Sequence, residues 1–236
     1  MGLNYNPSIV SEGLVFYLDA ANRRCYSGSG LTANGLVGSI NGSLINGVGF
    51  TSTNNGYFSL DGANDYIGIS NNASLQPTRL TLEVWFKLNV PLSSQPTEFP
   101  LVFDKFTLSS LSGYRILFWK GGNELQFSFF NSSVDNNVAI SGAGAKVSTN
   151  WNCLQGTYDG FTSKIYLNGV LENSLSTTAS ISYNNEDIYL GTFYEPTYGF
   201  LHYINANFGN VKIYNRALTP QEIFQNFNAT RYRYGI

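Results

Sequence analysis

The chain has 236 residues, 43% of them hydrophobic and 15% aromatic, but only 12% charged, with a net charge of −2. The charged share is about half the usual roughly 25%, so Asn, Ser, Thr, Gly and Tyr must build most of the surface. That composition suits neutral sugars or close protein packing. It gives no electrostatic reason to hold a phosphate backbone, and no stretch approaches the ~20 apolar residues of a membrane-spanning helix.

Residues 1–12 read as a polar lead-in, with Pro7 opposing regular pairing. The opening has no basic segment followed by an apolar run and a small-residue cleavage site, so synthesis and retention in a cytoplasm are expected. Gly13 to Asp19 reads as a first strand with Leu14, Phe16 and Leu18 on one face. From Arg24 to Asn55 the chain is rich in Gly, Ser and Asn, predicting loops and edge strands. Tyr57–Leu60 and Tyr66–Ser70 flank a turn at 61–65. Leu80 to Leu88 is the cleanest strand, with Leu80, Leu82, Val84, Phe86 and Leu88 on one face and Thr81, Glu83, Trp85 and Lys87 on the other. The first face is expected against an opposing sheet, the second along a concave surface.

Three prolines, Pro91, Pro96 and Pro100, mark a loop before a strand at Leu101–Phe106. Tyr114–Lys120 and Leu125–Phe130 form a hairpin across Gly121-Gly122-Asn123. A turn is expected at Gly142–Lys146. Asn152–Tyr158 and Lys164–Leu167 are strands, joined by 159–162 and followed by an Asn168-Gly169 hairpin turn. Ile188–Phe193 reads as a strand, Glu195–Tyr203 as an aromatic loop and Asn210–Tyr214 as a last strand. Thr219-Pro220-Gln221-Glu222 has the form of a capping box with Pro at the first helical position. Ile223, Phe224 and Phe227 then recur at helical spacing.

Many short strands with regular turn signals, closed by one helix, predict an all-β fold: a two-sheet antiparallel jelly-roll sandwich with a short C-terminal helix. The expected division is a lead-in at 1–12, a sandwich domain at 13–218 and a helix and tail at 219–236. Cys25 and Cys153 are the only cysteines. They form no Cys-x-x-Cys and are expected as two buried thiols.

Four segments carry a family resemblance. They are Gly209 to Ile223, with its V-x-I-Y-N-R-A-L-T-P-x-E-I run; Phe58 to Tyr66; Leu80 to Lys87; and Trp151 through Thr157-Tyr158-Asp159-Gly160 to Tyr166-Leu167-Asn168-Gly169. Together, and in their order along the chain, they resemble the laminin-G-like, concanavalin A-like lectin/glucanase group. The family usually has His after the Trp of the last segment; here Asn152 stands there. The ending, from Gln225 to Ile236, is similar to tails of phage-encoded members.

The glucanase branch that this resemblance invokes works with a Glu-x-Asp-x-x-Glu strand, which sets two carboxylates over one groove. No such pattern occurs. Glu83 is the best-placed strand carboxylate and has no acidic partner two residues away. His202, the sole histidine, lies among aromatics, and no Gly-x-Ser-x-Gly elbow accompanies it. The resemblance also raises calcium as a cofactor. Asp61, Asn64, Asp65 and Asp159 have the hard oxygens that ion needs, although Asp-Gly pairs are equally ordinary turn residues.

Sugar binding would use aromatic faces. The candidates are Trp119, beside Lys120 at a hairpin end, and Tyr194, Tyr198 and His202 in the late aromatic loop. Arg231, Tyr232, Arg233 and Tyr234 are the candidate subunit contacts. The resemblance, the low-charge surface and the missing acid pair lead to an expected non-enzymatic phage virion protein. It would be assembled in the host cytoplasm as a capsid decoration or tail/fibre element. Virion proteins and a host surface glycan are its expected partners, in a homo-oligomer. The alternatives are a purely structural protein–protein module and a polysaccharide-degrading enzyme dependent on Glu83.

Overall fold

The computed structural model of the chain describes residues 8–53, 56–132, 135–141 and 146–236, with 135–141 described by their backbone. The lead-in through Pro7 and the turn expected at Gly142–Lys146 fall outside these residues, Lys146 apart.

Numbered in chain order, the strands form two large antiparallel sheets. The first sheet runs Val170–Ser176 (β14), Thr162–Leu167 (β13), Trp151–Tyr158 (β12), Leu80–Leu88 (β7), Asn205–Tyr214 (β18), Tyr57–Asp61 (β5) and Gly49–Thr51 (β4). Leu14–Asp19 (β1) also pairs with β18. The second runs Asp135–Ser141 (β11), Glu124–Asn131 (β10), Ser112–Trp119 (β9), Leu101–Thr107 (β8), Ile188–Leu190 (β15), Tyr66–Ile69 (β6), Gly42–Ile45 (β3) and Thr32–Ala33 (β2). The inner faces meet in one core. Leu80, Leu82, Val84, Phe86 and Leu88 enter it from β7, facing Phe103, Ile116, Phe118, Phe127 and Phe129 of the second sheet. The alternation read in the sequence is thus the alternation between core and outer face, and the sandwich is as expected.

Three departures have local causes. In β1 the pairing with β18 slips between Leu14 and Phe16. Phe16 and Leu18 stay in the core, whereas Leu14 packs beside Tyr214 and Ile223 on the opposite side. Such a bulge turns the next residue to the other face. The strand expected over Ile188–Phe193 breaks at Gly191, which takes φ +94° and lies so close to Leu60 that a Cβ would sit 2.1 Å from it. Beyond the break, Glu195–Tyr203 is not a loop throughout. Phe193–Glu195 (β16) pairs with Gly199–Leu201 (β17) as a small hairpin.

The third departure concerns the outer face of the first sheet, which is not a concave open surface. Helix α1 (Pro220–Tyr234) lies across it. The Thr219 side chain accepts from Glu222 N while the Glu222 carboxylate accepts from Thr219 N, so the capping box is formed as the sequence implies. Phe227 stacks parallel to Trp85, and Tyr234 stacks on Trp85 at 4.2 Å between centroids and packs tilted against Trp151 at 4.5 Å. Ile223 and Phe227 are buried, but Phe224, the third apolar residue of the pattern, is exposed.

Candidate functional site

The two outer faces differ, and the difference locates the site. Under α1, Glu83 and Lys212 are both fully buried and form an ion pair between neighbouring strands. The second Glu83 oxygen accepts from Gln155 Nε2 at 3.0 Å and from Asn226 Nδ2 at 3.0 Å. Asn226 in turn receives Val10 N at 2.8 Å and donates to Tyr214 Oη at 2.9 Å. Gln155 also donates to Ile223 O of the helix, Asn226 ties in Val10 of the N-terminal segment, and the carboxylate is fully buried. Glu83 is therefore a structural acid, and the face it was expected to present is sealed.

The same helix uses up half of the expected subunit-contact segment. Tyr234 is buried between two indoles, and Arg233 makes two 3.0 Å bonds to the carboxylate of Asp19. Tyr232 faces outward, 70% exposed, while Arg231 is half-buried with its guanidinium over the Phe227 and Tyr232 rings. Asn152, standing where the family usually has His, donates to Ser148 O and Asn150 O and closes the turn before β12.

On the second sheet the outer face carries a cavity of about 250 Å3. Its walls are Phe99, Leu101, Phe106, Leu108, Leu117 and Phe193; its polar groups are Arg115, Gln126 and His202. Period two explains the floor. Tyr114, Ile116 and Phe118 of β9 point to the core, so Arg115, Leu117 and Trp119 share the other side. The Arg115 guanidinium lies over the Phe106 ring at 4.3 Å and over Phe130 at 5.0 Å, a cation–π placement that holds its charge flat against the sheet. Phe193 of β16 closes one side by packing on Phe106.

His202 lies in this wall, beyond the end of β17. It has φ +60°, a left-handed conformation uncommon outside glycine. Its ring meets Phe99 edge-on at 5.7 Å and runs nearly parallel to Phe193 at 6.4 Å, while Leu101 N donates to its carbonyl. Burial and, secondarily, the Arg115 charge push the imidazole below its ordinary pKa, leaving a neutral ring able to both donate and accept near pH 7.

The four predicted ligand residues are thus divided. His202 lines the cavity. Trp119 is on the same face of β9, one pleat beyond Leu117, and is 38% exposed. One side of its ring lies on the hairpin turn, since a Cβ at Gly122 would stand 2.5–2.9 Å from the indole. Tyr194 belongs to a separate ring cluster, with Phe200 at 5.0 Å and Tyr189 at 6.3 Å, which seats the hairpin on β6 and β15. Tyr198 stands at the hairpin tip, 75% exposed, where its N–H closes the turn on Glu195 O. Arg115 and Gln126 were missed, although Arg115, the lone charge inside the run Tyr114–Trp119, was a visible signal.

Behind the cavity, on the same side of β8 as Phe106, lies Asp104. It is fully buried; Oδ2 accepts from Phe106 N at 3.2 Å and Oδ1 has no hydrogen-bond partner among the described residues. Burial raises its pKa to about 7, against the lowering effect of Arg115, its register neighbour in β9. The turn carboxylates considered for calcium each bond the backbone of their own turn. Asp61 Oδ1 accepts from Ala63 N and Asn64 N, Asp65 Oδ2 from Asp61 N, and Asp159 Oδ1 from Phe161 N and Thr162 N. Among the described residues no group of three or more His, Cys, Asp or Glu converges. Cys25 and Cys153 are both buried free thiols, as expected.

A family model described as the concanavalin A-like lectin/glucanases superfamily matches residues 61–224. The chain belongs to this superfamily. No curated protein sequence matches it. Among solved structures it is similar to the binding domain of botulinum neurotoxin DC in complex with SialylT, with 16% identity and a TM-score of 0.70, covering 93% of this chain and 52% of that one. The same domain in complex with rat synaptotagmin II has 16% identity and a TM-score of 0.68, covering 93% and 52%. The binding domain of Paraclostridial Mosquitocidal Protein 1 has 17% identity and a TM-score of 0.68, covering 92% and 52%. The chain spans about half the length of these structures, and at such identities the likeness establishes the fold alone.

Proposed function

We propose that this superfamily member is a non-enzymatic, lectin-like binding module whose ligand enters the cavity between β8–β10 and the β16–β17 hairpin. The observation that carries this reading is the cavity itself. It has aromatic and aliphatic walls, an amide, a neutral imidazole and a guanidinium, and no carboxylate among its described lining residues. Such a cavity can recognise and orient a ligand. It lacks the acid pair that glycoside cleavage needs, and Glu83 is occupied elsewhere. The neighbours' complexes with SialylT and with a synaptotagmin support a binding role for this architecture.

The test is a glycan array followed by titration calorimetry on the purified chain and on His202→Ala and Gln126→Ala. Each substitution is expected to weaken binding at least tenfold, which is about 1.4 kcal/mol. Affinity unchanged in both variants would move the site elsewhere; ligand turnover would make the module an enzyme.

The setting we propose is a virion, where a low-charge module of this kind would serve as a capsid decoration or tail element. This rests on the similarity of the segment from Gln225 onward to phage-encoded members. Purified particles of the source that lacked the polypeptide by mass spectrometry would refute it. A subunit-contact role is favoured by a second observation: Phe224 of α1, Val170 and Leu171 of β14, and Tyr232 are all exposed. In that reading Val170→Asp with Phe224→Asp would abolish assembly and leave ligand binding intact.

A further inference from the structure

A second cavity, of about 350 Å3, lies between the turn after β1 and the edge strand β4. It shares no lining residue with the cavity of Phe99 and His202. We propose that it binds a sugar carrying a phosphate monoester, with the phosphoryl group on Arg23, Ser27 and Ser52 and the sugar ring against Phe50.

The turn presents Arg23 for this role. Asn22 O receives Cys25 N at 2.8 Å and Tyr26 N at 2.9 Å, and Asn22 Oδ1 receives Arg24 N at 2.9 Å. These bonds wind residues 22–26 into one tight turn that leaves Arg23 exposed. Tyr26 fastens the turn to the fold. Its ring meets Phe50 edge-on at 5.0 Å and Phe58 at 5.1 Å, and its hydroxyl donates to Gly30 O at 2.9 Å. Phe50 is only half-buried, so part of its ring is left as an apolar wall. The C–H face of a sugar can pack on such a wall.

The polar groups of the cavity are donors with little else to bind. Arg23 makes no hydrogen bond, ion pair or ring contact among the described residues, and the Ser52 hydroxyl makes no hydrogen bond among them. Ser27 Oγ has one long bond, 3.4 Å, to Ser29 O. No acid stands among the described lining residues. Asp19, the acid nearest in sequence, is occupied: its carboxylate accepts from Tyr17 Oη, from Ala21 N and twice from Arg233. Arg24, exposed beside Arg23, adds to the positive field. An uncompensated guanidinium favours an anion. A phosphate monoester brings three strong acceptor oxygens and a charge of about −1.5 to −2 at pH 7, one oxygen for each of the three donor side chains. A carboxylate has two oxygens and a single charge.

The experiment is calorimetry on the full chain at pH 7 and physiological salt, which screens diffuse attraction. Its probes are glucose 6-phosphate, glucose 6-sulfate, glucose and inorganic phosphate. One hexose suffices, because an apolar wall does not read the stereochemistry of hydroxyls. Glucose 6-phosphate is expected to bind tenfold or more tighter than glucose and than inorganic phosphate, and several-fold tighter than the sulfate, which has less charge. Arg23→Gln should abolish that preference without harm to the fold, since the side chain it replaces is exposed and unbonded. Ser52→Ala should weaken the phosphate ester threefold or more and leave glucose unchanged. His202→Ala should alter none of these values, so this site and the cavity of the binding reading succeed or fail separately. Equal binding of glucose 6-phosphate and glucose, or a preference that survives Arg23→Gln, would overturn the proposal. Inorganic phosphate or the sulfate ester binding as tightly as glucose 6-phosphate would overturn it too, by showing a site for anions of any kind.

Discussion

At the scale of single residues, the chain contains two buried carboxylates with opposite fates. Glu83 is paired with Lys212 and bonded by two amides. Asp104 has one bond from a backbone N–H and an oxygen with no hydrogen-bond partner among the described residues. Its folded-state pKa lies above the ordinary carboxylate value, so the folded chain binds the Asp104 proton more tightly than the unfolded chain does. The associated stability is fully present below about pH 4 and is lost as pH rises through about 7. Asp104→Asn cannot titrate. Its stability relative to the parent should therefore climb between pH 4 and pH 8, by an amount on the order of 4 kcal/mol for a shift of this size. Urea unfolding across that range measures it, and a flat difference curve would show that Asp104 ionises freely. For Glu83→Gln the expectation is different: a loss of about 3–5 kcal/mol from leaving Lys212 buried without its partner. Ligand affinity at the cavity should be unchanged, since the two outer faces are separated by the core. A drop in any hydrolytic activity, at unchanged stability, would restore the enzyme reading.

At the scale of elements, the β9–β10 hairpin connects the fold to the site. Its Gly121-Gly122 turn was legible from sequence, but not the reason for the second glycine, which is that the Trp119 ring lies on it. Gly122→Ala should push the indole off the turn at a cost of about 1–3 kcal/mol. Because Trp85 and Trp151 are buried and Trp119 is not, acrylamide quenching reports on this ring, and the quenchable fraction should rise. No change in quenching would mean that the ring rests elsewhere. Strand identity was legible wherever alternation was clean, as in β7, because one face always meets the core. It failed where close approach decided the path. Gly191 breaks the Ile188–Phe193 run because Leu60 leaves no room, and Leu60 is far away in sequence. The β16–β17 hairpin was hidden for a related reason: its rings contact Tyr66, Tyr189 and Phe106, which belong to three different strands. His202 was visible as a candidate by being the only histidine. Gln126 had no such mark, and its role emerges only once β10 is placed beside β9.

At the scale of the whole molecule, α1 does more than cover a sheet. Gln225 Nε2 donates to Ser8 O and Asn226 receives Val10 N, while Tyr214 Oη donates to Val10 O and Arg216 Nε to Glu12 O. The segment 8–12 is thus held by the helix and by the end of β18, more than 200 residues away in the chain. Asn226 is the hinge of this arrangement, since one side chain serves Val10, Glu83 and Tyr214. Asn226→Ala would leave a buried N–H and a buried carboxylate each short of a bond, at a cost of at least about 2 kcal/mol. The consequence should be cooperative, not local. Hydrogen exchange is expected to accelerate together in 8–12 and 220–234, while β8–β10 around the cavity keeps its protection, because that wall draws its contacts from the second sheet and its own hairpin. Faster exchange in the helix alone would mean that the N-terminal segment is anchored by Tyr214 and Arg216 without help from Asn226. Faster exchange reaching β9 would mean that the two outer faces communicate through the core, and that the cavity's shape depends on the helix on the far side.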